Sequence, residues 1–196
     1  MSLPPPVARK HLHTRTIDMR GYEREDGLYD IEGHLVDAKT YKFFSRDKGR
    51  DREPGEHIHN MWLRLTVDLD FVVHDVEAAT DASPFATCGA VTPNFKRLIG
   101  LKIGAGWRKD ALARVGGVQG CTHLVEMLWP LATVAFQTMV SARMKRDAER
   151  PDKSAVKSKP FLLDTCYSFR SDGEIARTRW PAHYTGVKAA AKTGED

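Results

Sequence analysis

The sequence predicts an α+β domain: an antiparallel sheet of about four strands packed against one long C-terminal helix, with short helices besides. Two observations carry this. Four segments in the first 80 residues alternate or run apolar in strand fashion, and their connections are too short for parallel crossovers. A later segment, from about Thr122 to Arg146, shows apolar stripes at helical spacing.

Residues 1–8, with three consecutive prolines, predict a disordered or extended arm. His11–Tyr22, rich in Thr, Ile, Met and Tyr, reads as a strand. Asp26-Gly27 signals a turn, and Leu28–Thr40 follows with Tyr29, Ile31, Gly33 and Leu35 alternating. Lys42–Glu56, charged and holding Gly49, Pro54 and Gly55, reads as a loop. Met61–Val67 alternates Met61, Leu63, Leu65 and Val67 against Trp62, Arg64 and Thr66, and Phe71–Thr80 follows as its partner after Asp68–Asp70.

Thr92-Pro93 has the form of an N-cap and first helical residue, giving a short helix over Pro93–Leu98 that stops at Gly100. Lys109–Val115 is a second short helix, ended by Gly116-Gly117. In the long helix, Leu124, Leu128, Leu131, Ala135 and Met139 form one stripe. Val125, Trp129, Ala132, Phe136 and Val140 form the next, with a kink expected at Pro130. Residues 141–160 hold seven Lys/Arg and three Asp/Glu, so the helix is expected to run into solvent and become a linker. The organisation is then a single domain over 9–147, a basic linker over 148–160, a C-terminal extension over 161–185 packing back, and a flexible tail over 186–196. In the extension, Phe161–Phe169 reads as a strand pairing with Ile175–Tyr184 across Asp172-Gly173.

The bulk properties exclude several classes. Thirty Lys/Arg against 26 Asp/Glu leave a net charge of +4, too mild to indicate nucleic-acid binding. No stretch approaches the ~18 unbroken apolar residues of a membrane span, and Met1-Ser-Leu-Pro-Pro-Pro lacks a secretory core. A cytoplasmic location is expected, with the three cysteines as free thiols or metal ligands rather than a disulfide framework. No internal repeat is present.

Three places combine metal-capable side chains with tight turns. In Glu56-His57-Ile58-His59-Asn60 an extended chain points His57 and His59 the same way. Ser83–Cys88 leaves the fourth strand. Gly120-Cys121-Thr122-His123 opens the long helix, where the helix dipole favours anionic sulfur. Thiolate with imidazole suits zinc or iron, including an iron–sulfur cluster, and suits calcium and magnesium poorly. The candidate ligands are therefore His57, His59, Cys88, Cys121 and His123. Cys121 and His123 share one metal only if Cys121 precedes the first helical turn; otherwise His123 pairs with Glu126. Against this, Cys88 and Cys121 have the alternative of plain core residues, and Cys166 reads as core. His11, His13, His34, His74 and His183 read as surface or strand polar positions.

At His59-Asn-Met-Trp-Leu-Arg-Leu-Thr66, Asp75-Val-Glu-Ala78 and Gly120-Cys-Thr-His-Leu124 the chain resembles a bacterial family known only as domain of unknown function 2889, over about residues 10–184. The order of parts is also similar to iron–sulfur scaffold proteins of the IscU type. Those carry a ligand before a strand beginning with Met, then a second strand and a cysteine, and a last cysteine opening a helix. That resemblance implies ligands at His57 or His59, Cys88 and Cys121. Here the scaffold's first cysteine and its run of small residues are missing.

Three functions stay open. One is a metal-binding accessory protein that holds zinc, iron or a labile cluster for a partner enzyme. Another is a small enzyme, with a metal and Glu126, Asp75 or Asp81 as base, or with Cys121 as nucleophile and His59 or His123 as base. The third is an interaction domain docking an acidic protein through Arg143, Lys145 and Arg146.

Overall fold

The computed structural model describes residues 3–149, 159–160 and 162–187, and the chain divides into two compact units, Met1–Ala148 and Glu149–Asp196. In the first unit β1 (His13–Glu23), β2 (Tyr29–Lys39), β5 (His57–Val67) and β6 (Val73–Ala82) form one antiparallel sheet in the order β1-β2-β5-β6. The fold is α+β, as the alternation predicts. Residues 3–12 precede it as exposed chain without helix or strand.

One face of the sheet is apolar. Tyr29, Ile31 and Leu35 of β2, Met61, Leu63, Leu65 and Val67 of β5, and Val73 and Val76 of β6 are buried. They meet Leu124, Met127, Leu128, Leu131, Ala135 and Met139 of α2 (Thr122–Glu149) in a single cluster. Period two on the sheet and 3.6 on the helix thus select the two facing surfaces. Close approach requires two glycines. A Cβ on Gly21 would lie 1.8 Å from Thr138 Oγ1, and one on Gly33 would lie 3.3 Å from Met127 Sδ.

Several expectations are corrected. The stretch read as loop over Lys42–Glu56 holds a small hairpin, β3 (Phe43–Ser45) with β4 (Arg50–Arg52). The helix expected from Thr92 begins earlier, as a 3-10 run over Cys88–Leu98 with Pro93 inside it; Thr92 Oγ1 donates to the Gly89 carbonyl instead of capping. The second short helix, α1 (Trp107–Val115), starts two residues earlier than its charge pattern implies, behind Gly106 at φ 88°.

The long helix does not leave the sheet at Ser141. Arg143 donates to the Leu69 carbonyl and sits 4.5 Å over the Phe71 ring, and Arg146 pairs with Asp70 at 3.1 Å. These two cations hold the end of α2 to the β5–β6 turn, so they are not a free docking surface. By length and composition α2 is also apolar enough to cross a membrane, which the search for unbroken apolar runs missed. Its apolarity is that of a helix with one side against a sheet.

In the second unit no strand forms among the described residues. A 3-10 turn spans Tyr167–Phe169, α3 spans Glu174–Arg179 and a further 3-10 turn spans Pro181–His183. Asp172-Gly173 starts a helix rather than a hairpin. Glu174 in the first turn suits the positive helix end and pairs with Arg177 at 2.7 Å, three residues on. Most of the expected basic linker and tail, at 150–158 and 188–196, lies outside the described residues.

Candidate metal centre

The apolar rows of β2 and β5 end in charge. The inward positions of β2 run Tyr29, Ile31, Gly33, Leu35 and then Asp37, all buried. The register aligns Asp37 with Arg15 of β1 and His59 of β5, so a polar row crosses three strands at the end of the sheet where α2 begins.

Asp37 is 1% exposed, and all its hydrogen-bonding capacity is used. Oδ1 accepts from Arg15 Nε at 2.9 Å and bonds His13 Nε2 at 3.0 Å. Oδ2 accepts from Arg15 Nη2 at 2.8 Å and bonds His59 Nδ1 at 2.8 Å. Burial by itself would raise the carboxyl; the bonds from Arg15, His59 and His13 outweigh it and hold Asp37 at about 2. An ionised carboxylate only accepts, so His59 carries a proton on Nδ1, which leaves Nε2 as its atom for a metal.

The α2 side supplies the rest. Cys121 lies just before the first helical residue, its carbonyl accepting from Val125 N–H at 2.9 Å. That meets the condition for Cys121 and His123 to act together, and Cys121 Sγ lies 3.8 Å from His123 Nδ1. The rings of His59 and His123 are 3.9 Å apart between centroids. Burial, then the neighbouring His59 and Arg15, lower the His123 pKa and favour its neutral, ligating form. Glu126 does not pair with His123; it accepts from Arg15 Nη1 at 3.0 Å.

Ligand atoms of Asp37, His59 and His123 all lie within 4.8 Å of one another. Of the sequence candidates, the structure therefore gathers His59 and His123, and sets the Cys121 thiol against His123. Neither His57 nor Cys88 joins this group. His57 is exposed at the start of β5, Cys88 opens the 3-10 run after β6, and all three cysteines are free. Asp75 and Asp81 are engaged elsewhere, by Lys96 and by the Trp62 indole.

The sequence reading missed Asp37, Arg15 and His13. Asp37 had a legible signal, because it occupies the next inward position after Leu35, where a carboxylate must be paired.

Comparison with known proteins adds the family. The chain matches the family described as protein of unknown function, DUF2889, over residues 13–137, and belongs to it. No curated protein and no solved structure matches. The likeness to IscU-type scaffolds thus finds no support in these comparisons.

Proposed function

We propose that this protein is a metal-binding accessory protein. It holds one zinc or iron ion through His59, His123 and Cys121 and serves a partner enzyme. The observation that carries the reading is the close set of His59 and His123 with the Cys121 thiol 3.8 Å from an imidazole nitrogen. Sulfur and nitrogen bound tetrahedrally to one zinc would sit about 3.6 Å apart, from bond lengths of ~2.3 and ~2.1 Å. Asp37 orients His59 rather than binding the ion, because a metal on its oxygens would have to displace Arg15 or a histidine. One thiolate and two imidazoles suit a mononuclear ion better than a cluster, which is held mainly by several thiolates. Three protein ligands leave a position open for exchange with a partner or for water.

The Asp37–His59 pair supports a second reading. Asp37 fixes His59, the His59 ring lies against His123, and His123 lies beside the Cys121 thiol at a helix start, so His123 could serve as the base of a cysteine nucleophile. Metal content of untagged protein purified without oxygen or chelators separates the two. The accessory reading expects about one zinc or iron per chain, lost in His59→Ala, His123→Ala and Cys121→Ser. Metal-free folded protein, with Cys121 alkylated by iodoacetamide far faster than Cys88 and Cys166, would replace it with the nucleophile reading.

A further inference from the structure

A second place stands apart from the centre at α2. A cavity of about 550 Å³ opens between the β3–β4 hairpin, the start of β5, the end of β6 and the residues that follow it. Lys48, Arg50, Arg52 and His57 line it, against only two carboxylates, Glu56 and Asp81. Both carboxylates are taken: Glu56 accepts two bonds from Arg50, at 2.6 and 3.0 Å, and lies 3.7 Å from Arg52 Nη1, and Asp81 accepts from the Trp62 indole at 3.0 Å.

The remaining donors are not matched. Among the described residues, Lys48 has no carboxylate partner and the His57 ring has no hydrogen bond. Thr80, also in the lining, carries the one buried side-chain oxygen without a partner among the described residues. Arg52 gives the wall its rigidity. Its side chain is 4% exposed, and it donates to the carbonyls of His57 at 2.6 Å and Ser83 at 3.5 Å, tying β4 to β5 and to the chain beyond β6. A buried guanidinium, a free ammonium, an imidazole and a hydroxyl around one space form a donor set that complements an oxyanion. The volume lies within the ~300–1,000 Å³ of small-molecule sites and exceeds what a bare ion needs.

We propose that this cavity binds a small phosphorylated molecule, its phosphate held by Lys48, Arg52 and His57. The site is independent of the metal reading, since it shares no side chain with the centre at α2.

The test is a titration of full-length protein with inorganic phosphate, at ionic strength fixed with sodium chloride, followed by amide and imidazole NMR shifts. Acetate at the same ionic strength is the control. The expected result is saturable shifts at His57 and across residues 80–89 with phosphate, none that saturate with acetate, and at least a fivefold weaker phosphate affinity in Lys48→Ala. Thr80→Val, a near-isosteric change, should weaken it several-fold. Shifts that fail to saturate, that match those from acetate, or that persist unchanged in Lys48→Ala would overturn the proposal.

Discussion

The two ends of α2 both meet the sheet through polar side chains, yet they are built differently. At the C-terminal end, Arg143 and Arg146 find a carbonyl, an aromatic face and a carboxylate on the β5–β6 turn. Each cation has its partner there, and the arrangement is complete as a clamp. At the N-terminal end, Asp37 is satisfied four times over, but the groups around it are not. His59 spends only Nδ1 on Asp37, His123 is held toward neutrality by burial, and Cys121 has only a long contact to an imidazole. A clamp uses up its donors and acceptors, whereas this end orders side chains of ligating type and leaves them available.

The largest expected effect falls on the carboxylate that organises the N-terminal end. Asp37→Ala strands Arg15 and two histidines beside a buried gap, and should destabilise the fold by about 3 kcal/mol in urea unfolding, because one partner of a buried ion pair is removed. Variants of the proposed ligands, His59→Ala and Cys121→Ser, should change stability far less in metal-free protein. Each should cost about 100-fold in metal affinity, ~2.7 kcal/mol, measured by competition with a chelator.

Acid sharpens the same contrast. Asp37 at about 2 lies below its ordinary 3.8, so it contributes stability that is present above pH 3.8 and lost as pH falls through 2, about 2 kcal/mol in all. The lowered His123 acts in the same direction, its share lost as pH falls below its ordinary 6.5. Urea midpoints of wild type and Asp37→Asn should therefore converge as the pH approaches 2. Parallel curves would contradict the assignment.

At the other end of α2 the effects are smaller. Arg143→Ala should cost about 1 kcal/mol through the lost cation–π contact and carbonyl bond, with metal affinity unchanged. Asp70→Asn should cost less than about 0.5 kcal/mol, as an exposed pair. A change in metal affinity in either variant would break the distinction between the two ends.

What the sequence made legible follows this division. Period-two alternation located β2 and β5, and the apolar stripes located α2, because burial on one face leaves a periodic trace; β1, exposed along nearly its whole length, was found by its residue types, and β6 as the partner of β5 after a turn. His59, Cys121 and His123 stood out as residue types that ligate metal. Asp37, Arg15 and His13 did not, since their meeting depends on strand register across β1, β2 and β5, which local spacing does not encode. The end of α2 was misjudged for a related reason: lysine and arginine at residues 141–146 look like a solvated surface until the turn at Leu69–Phe71 is placed beside them. The strands expected in the C-terminal segment failed where a short apolar run carried too few alternations to outweigh the helix-start chemistry at Gly173-Glu174.

The most direct measurement of the central claim is a cobalt(II) titration of metal-free protein, read by its thiolate-to-metal and ligand-field absorption. The account predicts a sulfur-to-cobalt band that saturates at about one ion per chain with tetrahedral ligand-field intensity. That band should vanish in Cys121→Ser and persist in Cys88→Ser. No saturating band, or one that depends on Cys88 and survives Cys121→Ser, would contradict a centre built at the start of α2.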